Sequence, residues 1–237
     1  MQAIILSGGK GERLRPFTDS CPKGMVIIEG KPILEYQIEW LKKYGVKEII
    51  FACGYLSEKI KEYFGDGSKF GFKAIYSVEE EPLGRGGALK KAWQYVQEGK
   101  QVIATNGDIY TEMDLSMVIN VHKKKKDILA TMCLFPYNSP YGIVRVDEKG
   151  FVSDFEEKRK LPYWINGGVY IFEYEMKDYL PEKGDHEVTT FPELAKRKLL
   201  LAYKSTDYWR GIETVKDMNE FALDSKVLPL ARKLIKV

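Results

Sequence analysis

The stretch that decides the fold is Ala3-Ile4-Ile5-Leu6-Ser7-Gly8-Gly9-Lys10-Gly11. Four apolar residues in a row, with no polar alternation, suit a strand buried on both faces, and the glycines that follow at once suit a strand-to-helix turn. The same rhythm continues outward from it. Pro32 opens a helical pattern through Ile33, Leu34, Ile38 and Leu41, and Gly45 stops it. Glu48 to Ala52 reads as a second strand, Leu56 to Phe64 as a second helix, and Phe72 to Val78 as a third strand. Gly84 to Val96 carries helical periodicity, and Gln101 to Thr105 is a fourth strand ending at Asn106-Gly107-Asp108. Strand alternating with helix predicts a doubly wound parallel sheet.

The second half changes character. Ile128 to Phe135, Gly142 to Val146, Phe151 to Phe155 and Trp164 to Phe172 read as strands, with helix expected only near Met176 and over Val188 to Lys198. These strands are expected to extend the sheet in mixed or antiparallel fashion. Val215 to Ile235 reads as helical. No repeat, low-complexity tract or linker divides the chain. The expectation is one domain, 1–237, in two lobes, about 1–110 and about 111–237.

Composition excludes several classes. With 237 residues, 44% of them hydrophobic and 30% charged, the chain can bury a core without disulfide or metal staples. A net charge of +3 is too weak a bias to argue for nucleic acid. The one basic run, Lys123 to Lys126, ends an expected helix, where cations suit the dipole. Cys21, Cys53 and Cys133 form neither a disulfide framework nor a zinc pattern, and without a signal peptide they fit a reducing cytoplasm. His122 and His186 are isolated and read as structural or surface residues. No apolar run approaches the roughly 18 residues of a membrane span.

The chemistry begins in the glycine loop. Successive glycines let backbone N–H groups approach phosphate oxygens or a base edge, and Arg13 and Lys23 add positive charge. Neither G-x-G-x-x-G nor G-x-x-x-x-G-K-[ST] occurs, so this is not a dinucleotide or P-loop fingerprint. Asp108, at the carboxyl end of a buried strand, suits Mg²⁺, which takes few protein oxygens and fills its shell with phosphates and water. An Asn-Gly turn is the plain alternative there.

The full string LSGGKGERLRPFTDSCPKGM, Leu6 to Met25, resembles the L-x-G-G-x-G-[ST]-R-L-x-P-[LM]-T-x-x-x-P-K-P motif of the sugar-1-phosphate nucleotidyltransferases. Glu12 stands for the usual Ser/Thr and Gly24 for the final proline. Glu81-Pro82-Leu83-Gly84-Arg85-Gly86-Gly87-Ala88 is similar to the family's E-P-L-G-T-[AG]-G-A segment over the base, with Arg85 for threonine. Tyr141-Gly142-Ile143-Val144, Phe155-Glu156-Glu157-Lys158 and Asn166-Gly167-Gly168-Val169-Tyr170 resemble its sugar-side segments. Trp209-Arg210-Gly211-Ile212-Glu213-Thr214 lies where the family has W-x-D-[IV]-G-T, so glycine occupies the place of a second metal-binding aspartate.

The resemblance implies a Rossmann-like doubly wound mixed sheet of the nucleotide-diphospho-sugar transferase type, here without a C-terminal left-handed β-helix. It implies transfer of a nucleotidyl group from a nucleoside triphosphate to a sugar 1-phosphate, with Mg²⁺ as cofactor and no nucleic acid or membrane as partner. Oligomeric state stays open, a homo-oligomer included. Arg13, Lys23 and Asp108 are the implied catalytic residues. Leu6, Ser7, Gly8, Gly9, Gly11, Arg13, Glu81, Pro82, Gly86, Asn106 and Gly107 would hold the nucleotide. Gly142, Glu157, Lys158, Asn166 and Gly168 would hold the sugar phosphate. Asp108 would bind the metal, joined by Glu213 or, failing that, by Asp207 or an extra water. A glutamate, Glu80 or Glu81, is expected to accept bonds from guanine. The E-P-L-G-x-G-G-A form resembles the mannose- and heptose-1-phosphate guanylyltransferases. A uridylyl- or thymidylyltransferase for glucose 1-phosphate, a non-catalytic nucleotide-sugar-binding subunit and a glycosyltransferase are the competing readings.

Overall fold

A computed structural model describes residues 1–235. Seven strands make one central sheet: β1 (Gln2–Ser7), β2 (Glu48–Cys53), β3 (Lys73–Val78), β4 (Val102–Asn106), β5 (Ala130–Asn138), β6 (Lys160–Phe172) and β7 (Leu200–Lys204). Their spatial order is β7-β5-β6-β4-β1-β2-β3. β1 to β4 run parallel, β6 is antiparallel to β4 and β5, and β7 is parallel to β5. Both halves of the chain thus share one sheet, joined where β6 pairs with β4.

The unalternating apolar strands are explained by the layers on either side. Ala3, Ile5, Ile49, Phe51, Ile103, Val169 and Ile171 pack with α1 (Ile33–Lys43), α2 (Ser57–Phe64) and α4 (Leu115–Lys124) on one face. Ile4, Ile50, Ala52, Val102, Ala104, Tyr170 and Phe172 pack with α3 (Gly84–Ala92) and α5 (Thr190–Lys196) on the other. A third cluster sets Met218 and Phe221 of α6 (Val215–Asp224) and Ala231 of α7 (Pro229–Ile235) against Tyr36 of α1 and Tyr110. Each fully buried side chain of Phe221's size contributes roughly 1.5–3 kcal/mol, which fixes the C-terminal helices beside the loop that follows β4.

Several expectations need correction. Ile143–Val146 and Val152–Glu156 do not extend the sheet: they pair only with each other, as a separate two-stranded ribbon. One face of it, Val144, Val146, Val152 and Phe155, stays exposed, so the apolar pattern there did not report burial in the core. The C-terminal helical stretch is two helices, α6 and α7, and α5 is shorter than the expected Val188 to Lys198. α3 ends at Ala92, and one 3₁₀ turn, Trp93–Tyr95, carries the pattern on toward Val96. β7 was not foreseen, although Leu199-Leu200-Leu201-Ala202 is as continuous an apolar run as that of β1; it is a short edge strand that follows directly on the α5 segment.

Strand order reverses between β1 and β4, since β1 continues to β2 on one side while β4 leads to β6 on the other. Ligands of open α/β sheets lie at such a switch point, outside the carboxyl ends of the strands. The carboxyl end of β1 carries the glycine loop, and that of β4 carries Asn106-Gly107-Asp108.

Candidate active site

The two loops are bonded to each other. Leu6 lies in register with Asn106, and Gly107 N donates to Leu6 O at 2.8 Å. A Cβ on Gly107 would lie 2.7 Å from that same oxygen, so the glycine is required by the approach of the two strands. Gln37, buried on α1, donates its Nε2 to Asn106 O at 2.7 Å and to Thr105 Oγ1 at 3.1 Å, pinning the turn from below. The buried Asn106 Oδ1 has no partner among the described residues.

Lys23 reaches this turn from the far end of the glycine-loop segment. Its Nζ lies 2.5 Å from Asp108 Oδ2, and both side chains are largely shielded from solvent. The 3₁₀ turn Lys23–Met25 can come so close because Gly24 lacks a side chain: a Cβ there would sit 2.7 Å from Leu34 Cγ and 3.0 Å from Gly107 O. Gly24 in the proline position is therefore a packing requirement that delivers Lys23 to Asp108. Gly11, at φ 65°, turns the chain between them, and Thr18 Oγ1 donates to its carbonyl at 2.8 Å. Ser7 is buried at the end of β1, and Gly9 is open, with nothing within 4 Å of a Cβ built on it. A cation–carboxylate pair beside open backbone at a switch point is suited to receiving a polyphosphate.

Arg13 forms a salt bridge with Glu213, and both side chains remain partly exposed. Gly211 lies in register with Ile109, next to Asp108, and Ile212 N donates to Asp108 O at 2.8 Å. A Cβ on Gly211 would make only ordinary contacts, the nearest 3.5 Å away on Trp209, so the absence of a carboxylate there is not forced by space. Asp207 is occupied by Ser205 Oγ, at 2.8 Å. No group of three or more His, Cys, Asp or Glu able to hold a metal ion occurs among the described residues.

On the sugar side the expected residues fall into two groups. Gly168, at φ 67°, meets Asn106: a Cβ there would be 2.6 Å from Asn106 Nδ2. Asn166 Oδ1 accepts from Gly168 N at 3.0 Å, so the turn holds its own amide in place. Gly142, Glu157 and Lys158 belong to the ribbon. The Phe155 ring and Glu157 cover Gly142, while Lys158, at φ 51°, points its Nζ to Glu220 on α6 at 3.9 Å. Lys158, Gly211, Trp209 and Thr214 line one open cleft of about 1110 Å³ between the sugar-side strands and α6.

The base-side segment departs most from expectation. Glu81 is exposed and lies 4.0 Å from Lys183, and Pro82 is exposed beside it. Glu79 is the glutamate that touches the glycine loop: its Oε1 occupies the space a Cβ on Gly8 or Gly54 would take, and its Oε2 accepts from Leu83 N at 2.8 Å. Gly86 does not open toward the cleft. Its N donates to Gly184 O at 2.9 Å, and a Cβ would lie 2.7 Å from Pro181 Cγ and 2.8 Å from His186 N. Gly84 and Gly87 meet Gly184 and Glu182 in the same way. The lack of a side chain at these glycines admits the close approach of the 181–187 loop.

That loop supplies two carboxylates that sequence reading missed. Arg85 Nε donates to Asp185 Oδ2 at 2.9 Å, and its guanidinium lies 2.8 Å from Glu187 Oε2. Burial works against the Arg85 charge, but the bond to Asp185 and the charge of Glu187 outweigh it and hold its pKa above the ordinary arginine value. Burial likewise opposes ionisation of Asp185, yet the Glu187 N–H and Arg85 keep that carboxyl below the usual range. Nothing in the sequence signals the pairing, because its members lie 100 residues apart.

The nucleotidyl transferase family model matches residues 2–226. A D-glycero-alpha-D-manno-heptose 1-phosphate guanylyltransferase of Campylobacter jejuni is 39% identical over 95% of this chain and 100% of its own length. A UTP–glucose-1-phosphate uridylyltransferase of Synechocystis is 33% identical over 92% of this chain, but the match spans only 61% of that longer protein. Among solved structures, the crystal structure of HddC from Yersinia pseudotuberculosis superposes with a TM-score of 0.74 at 29% identity, covering 94% of this chain and 98% of that one.

Proposed function

The chain belongs to the sugar-1-phosphate nucleotidyltransferase family, and from that premise we propose that it is a guanylyltransferase that joins GTP to a mannose- or heptose-type sugar 1-phosphate. The observation that carries the chemistry is the Lys23–Asp108 pair, held at the switch point beneath the glycine loop. The base and sugar assignments rest on the E-P-L-G-x-G-G-A segment and on the similarity over full length to the heptose guanylyltransferase.

The reaction is an in-line displacement. An oxygen of the sugar phosphate attacks the α-phosphorus, the bond to the bridging oxygen breaks, and pyrophosphate leaves with its electron pair. Two anions must meet, so the protein's work is positioning and charge stabilisation. Gly8, Gly9 and Gly11 offer backbone N–H groups to the triphosphate, and the unpartnered Oδ1 of Asn106 offers an acceptor. Arg13 exchanges Glu213 for a phosphate, and Lys23 follows the charge that develops on the leaving pyrophosphate. Asn166 and Gly168 hold the sugar, with Gly142, Glu157 and Lys158 closing from the ribbon.

A divalent cation fits the donor set. Asp108 would hold it through the carboxylate that here faces Lys23, with the rest of the shell left to substrate oxygens and water, as Mg²⁺ prefers. Its chemistry would be neutralisation of phosphate charge. Glu213, paired with Arg13 here, would join in holding the cation only after giving up that partner. Three free cysteines, two of them buried, suit a cytoplasmic setting.

The test is pyrophosphate release from purified protein with Mg²⁺, each of GTP, UTP, dTTP, CTP and ATP, and a panel of sugar 1-phosphates. Turnover confined to GTP with mannose or heptose 1-phosphate supports the assignment. Turnover with UTP or dTTP and glucose 1-phosphate replaces it with the uridylyl or thymidylyl reading. Binding of nucleotide sugars without release from any pair makes Gly211 a true loss and the chain a regulatory subunit.

A further inference from the structure

Glu187 lies where the base-side and sugar-side segments are tied together. One carboxylate oxygen, Oε2, faces the Arg85 guanidinium at 2.8 Å. The other, Oε1, accepts from Asn166 Nδ2 at 3.0 Å and from the Tyr170 hydroxyl at 3.2 Å. Asn166 Nδ2 also donates to Tyr170 Oη at 2.7 Å, so both of its amide hydrogens are directed by this cluster. With Oδ1 fixed on Gly168 N, the Asn166 amide has no freedom to flip.

The carboxylate is itself held on both flanks. Glu187 N donates to Asp185 Oδ1 at 2.9 Å, and Asp185 Oδ2 takes the Arg85 Nε. Gly184 O accepts from Gly86 N, and Gly184 N donates to Leu83 O at 2.7 Å, so the loop is laced to the start of α3 by its backbone as well. Arg85 is the residue that stands where the family motif has threonine. A threonine could not span to two carboxylates, so this coupling is a property of this chain.

We propose that Glu187 is a positioning residue for the sugar 1-phosphate: it sets the orientation of Asn166, and Arg85 passes the state of the base-side segment to it. This rests on the functional reading above, in which Asn166 holds the sugar. Removing the carboxylate takes away one of the two acceptors of Asn166 Nδ2 and the acceptor that orients the Tyr170 hydroxyl, so the amide is held less firmly, and it leaves Arg85 paired only with Asp185. The sugar should then bind less well while the triphosphate, held by the glycine loop and Lys23, binds as before.

The experiment measures both KM values and kcat for the wild type, Glu187→Ala, Glu187→Gln, Asn166→Ala, Asn166→Ala/Glu187→Ala and Arg85→Met. A hydrogen bond to a charged group corresponds to ~10-fold or more in affinity. Glu187→Ala is therefore expected to raise the KM for the sugar 1-phosphate ~10-fold and that for the triphosphate by less than ~3-fold. Glu187→Gln, whose amide oxygen still accepts from Asn166 and Tyr170, recovers most of the loss. In the Asn166→Ala background, Glu187→Ala adds less than ~2-fold, because its effect has no route left. Arg85→Met, a base-side change at a partly exposed residue, also raises the sugar KM, and this arm decides the matter if Glu187→Ala does not fold. An unchanged sugar KM, equal rises in both KM values, or a full additional effect in the Asn166→Ala background overturns the inference alone. A wild-type protein that releases no pyrophosphate with any substrate pair sinks the functional reading, and the inference with it.

Discussion

Replacing His186 by leucine should flatten the acid side of the protein's stability profile. The His186 ring is fully buried, edge-on to Tyr170 and Phe191 with centroid distances of 5.8 and 4.7 Å, and neither of its nitrogens has a hydrogen-bond partner among the described residues. Asp185 Oδ1 stands 3.7 Å from Nδ1, and Arg85 lies beyond it. Burial is the largest influence and drives the imidazole pKa from 6.5 down to about 4; the Asp185 charge opposes it, and Arg85 reinforces it. The unfolded chain therefore takes up this proton near 6.5 while the folded chain refuses it until about 4. The contribution to stability is complete above pH 6.5, is lost as pH falls through the window down to about 4, and changes no further below it. At about 1.4 kcal/mol per pH unit, the full loss is about 3 kcal/mol, a large part of a total of roughly 5–15. Leucine carries no titrating group, and any packing penalty it brings is independent of pH. Urea unfolding of both proteins at pH 7.5, 6, 5 and 4 isolates the effect as a difference of slopes. His122, which burial also pushes down, remains in both proteins and cancels. The wild type should lose about 3 kcal/mol more than His186→Leu across the series. Parallel curves, or an imidazole that titrates near 6.5 in the folded protein by NMR, would falsify the account.

Two further tests separate glycines that serve packing from those that serve ligands. Gly86→Ala forces a Cβ to within 2.8 Å of the backbone of His186 and should cost about 1–3 kcal/mol, seen as a lower thermal midpoint. Gly9→Ala, which meets nothing within 4 Å, should leave the midpoint unchanged yet raise the KM for the triphosphate; a midpoint lowered as far as that of Gly86→Ala would contradict this division. Lys23→Ala should lower kcat by about 10²-fold or more, by removing the phosphate-side cation and leaving Asp108 unpaired. Near-normal turnover in that variant would remove Lys23 from the machinery.

The apolar run Ala3 to Leu6 can only be a strand covered on both faces, and the alternation of strands and helices through Asp108 leaves little choice but a doubly wound sheet. Local pattern therefore carried the alternation of the first half of the fold and put the glycine loop and Asp108 each at the carboxyl end of a strand; that the two strands are neighbours came from the fold. Pattern failed where burial and periodicity part company. Val144, Val146, Val152 and Phe155 alternate as core residues do, yet they form the exposed face of a ribbon. Edge strand β7 went unread although Leu199 to Ala202 is a continuous apolar run, because it follows with only a short break on the helical pattern of α5.

At the site, residue types were legible and their partners were not. Arg13, Lys23 and Asp108 stand out by motif and charge, but only the folded chain pairs Lys23 with Asp108 and Arg13 with Glu213. A glycine in a sequence announces close approach without saying to what: Gly107 and Gly24 admit neighbouring protein backbone and side chain, Gly86 admits the 181–187 loop, and Gly9 faces open space. Glu79, Asp185 and Glu187 lie outside every motif the sequence offered. The sequence alone determined the strand–helix alternation of the first half and the chemistry of the loop, because both are written in short-range pattern. The tertiary structure decided which charges meet and which glycines are spoken for, because those depend on contacts between segments as far apart as Arg13 and Glu213, which no local pattern encodes.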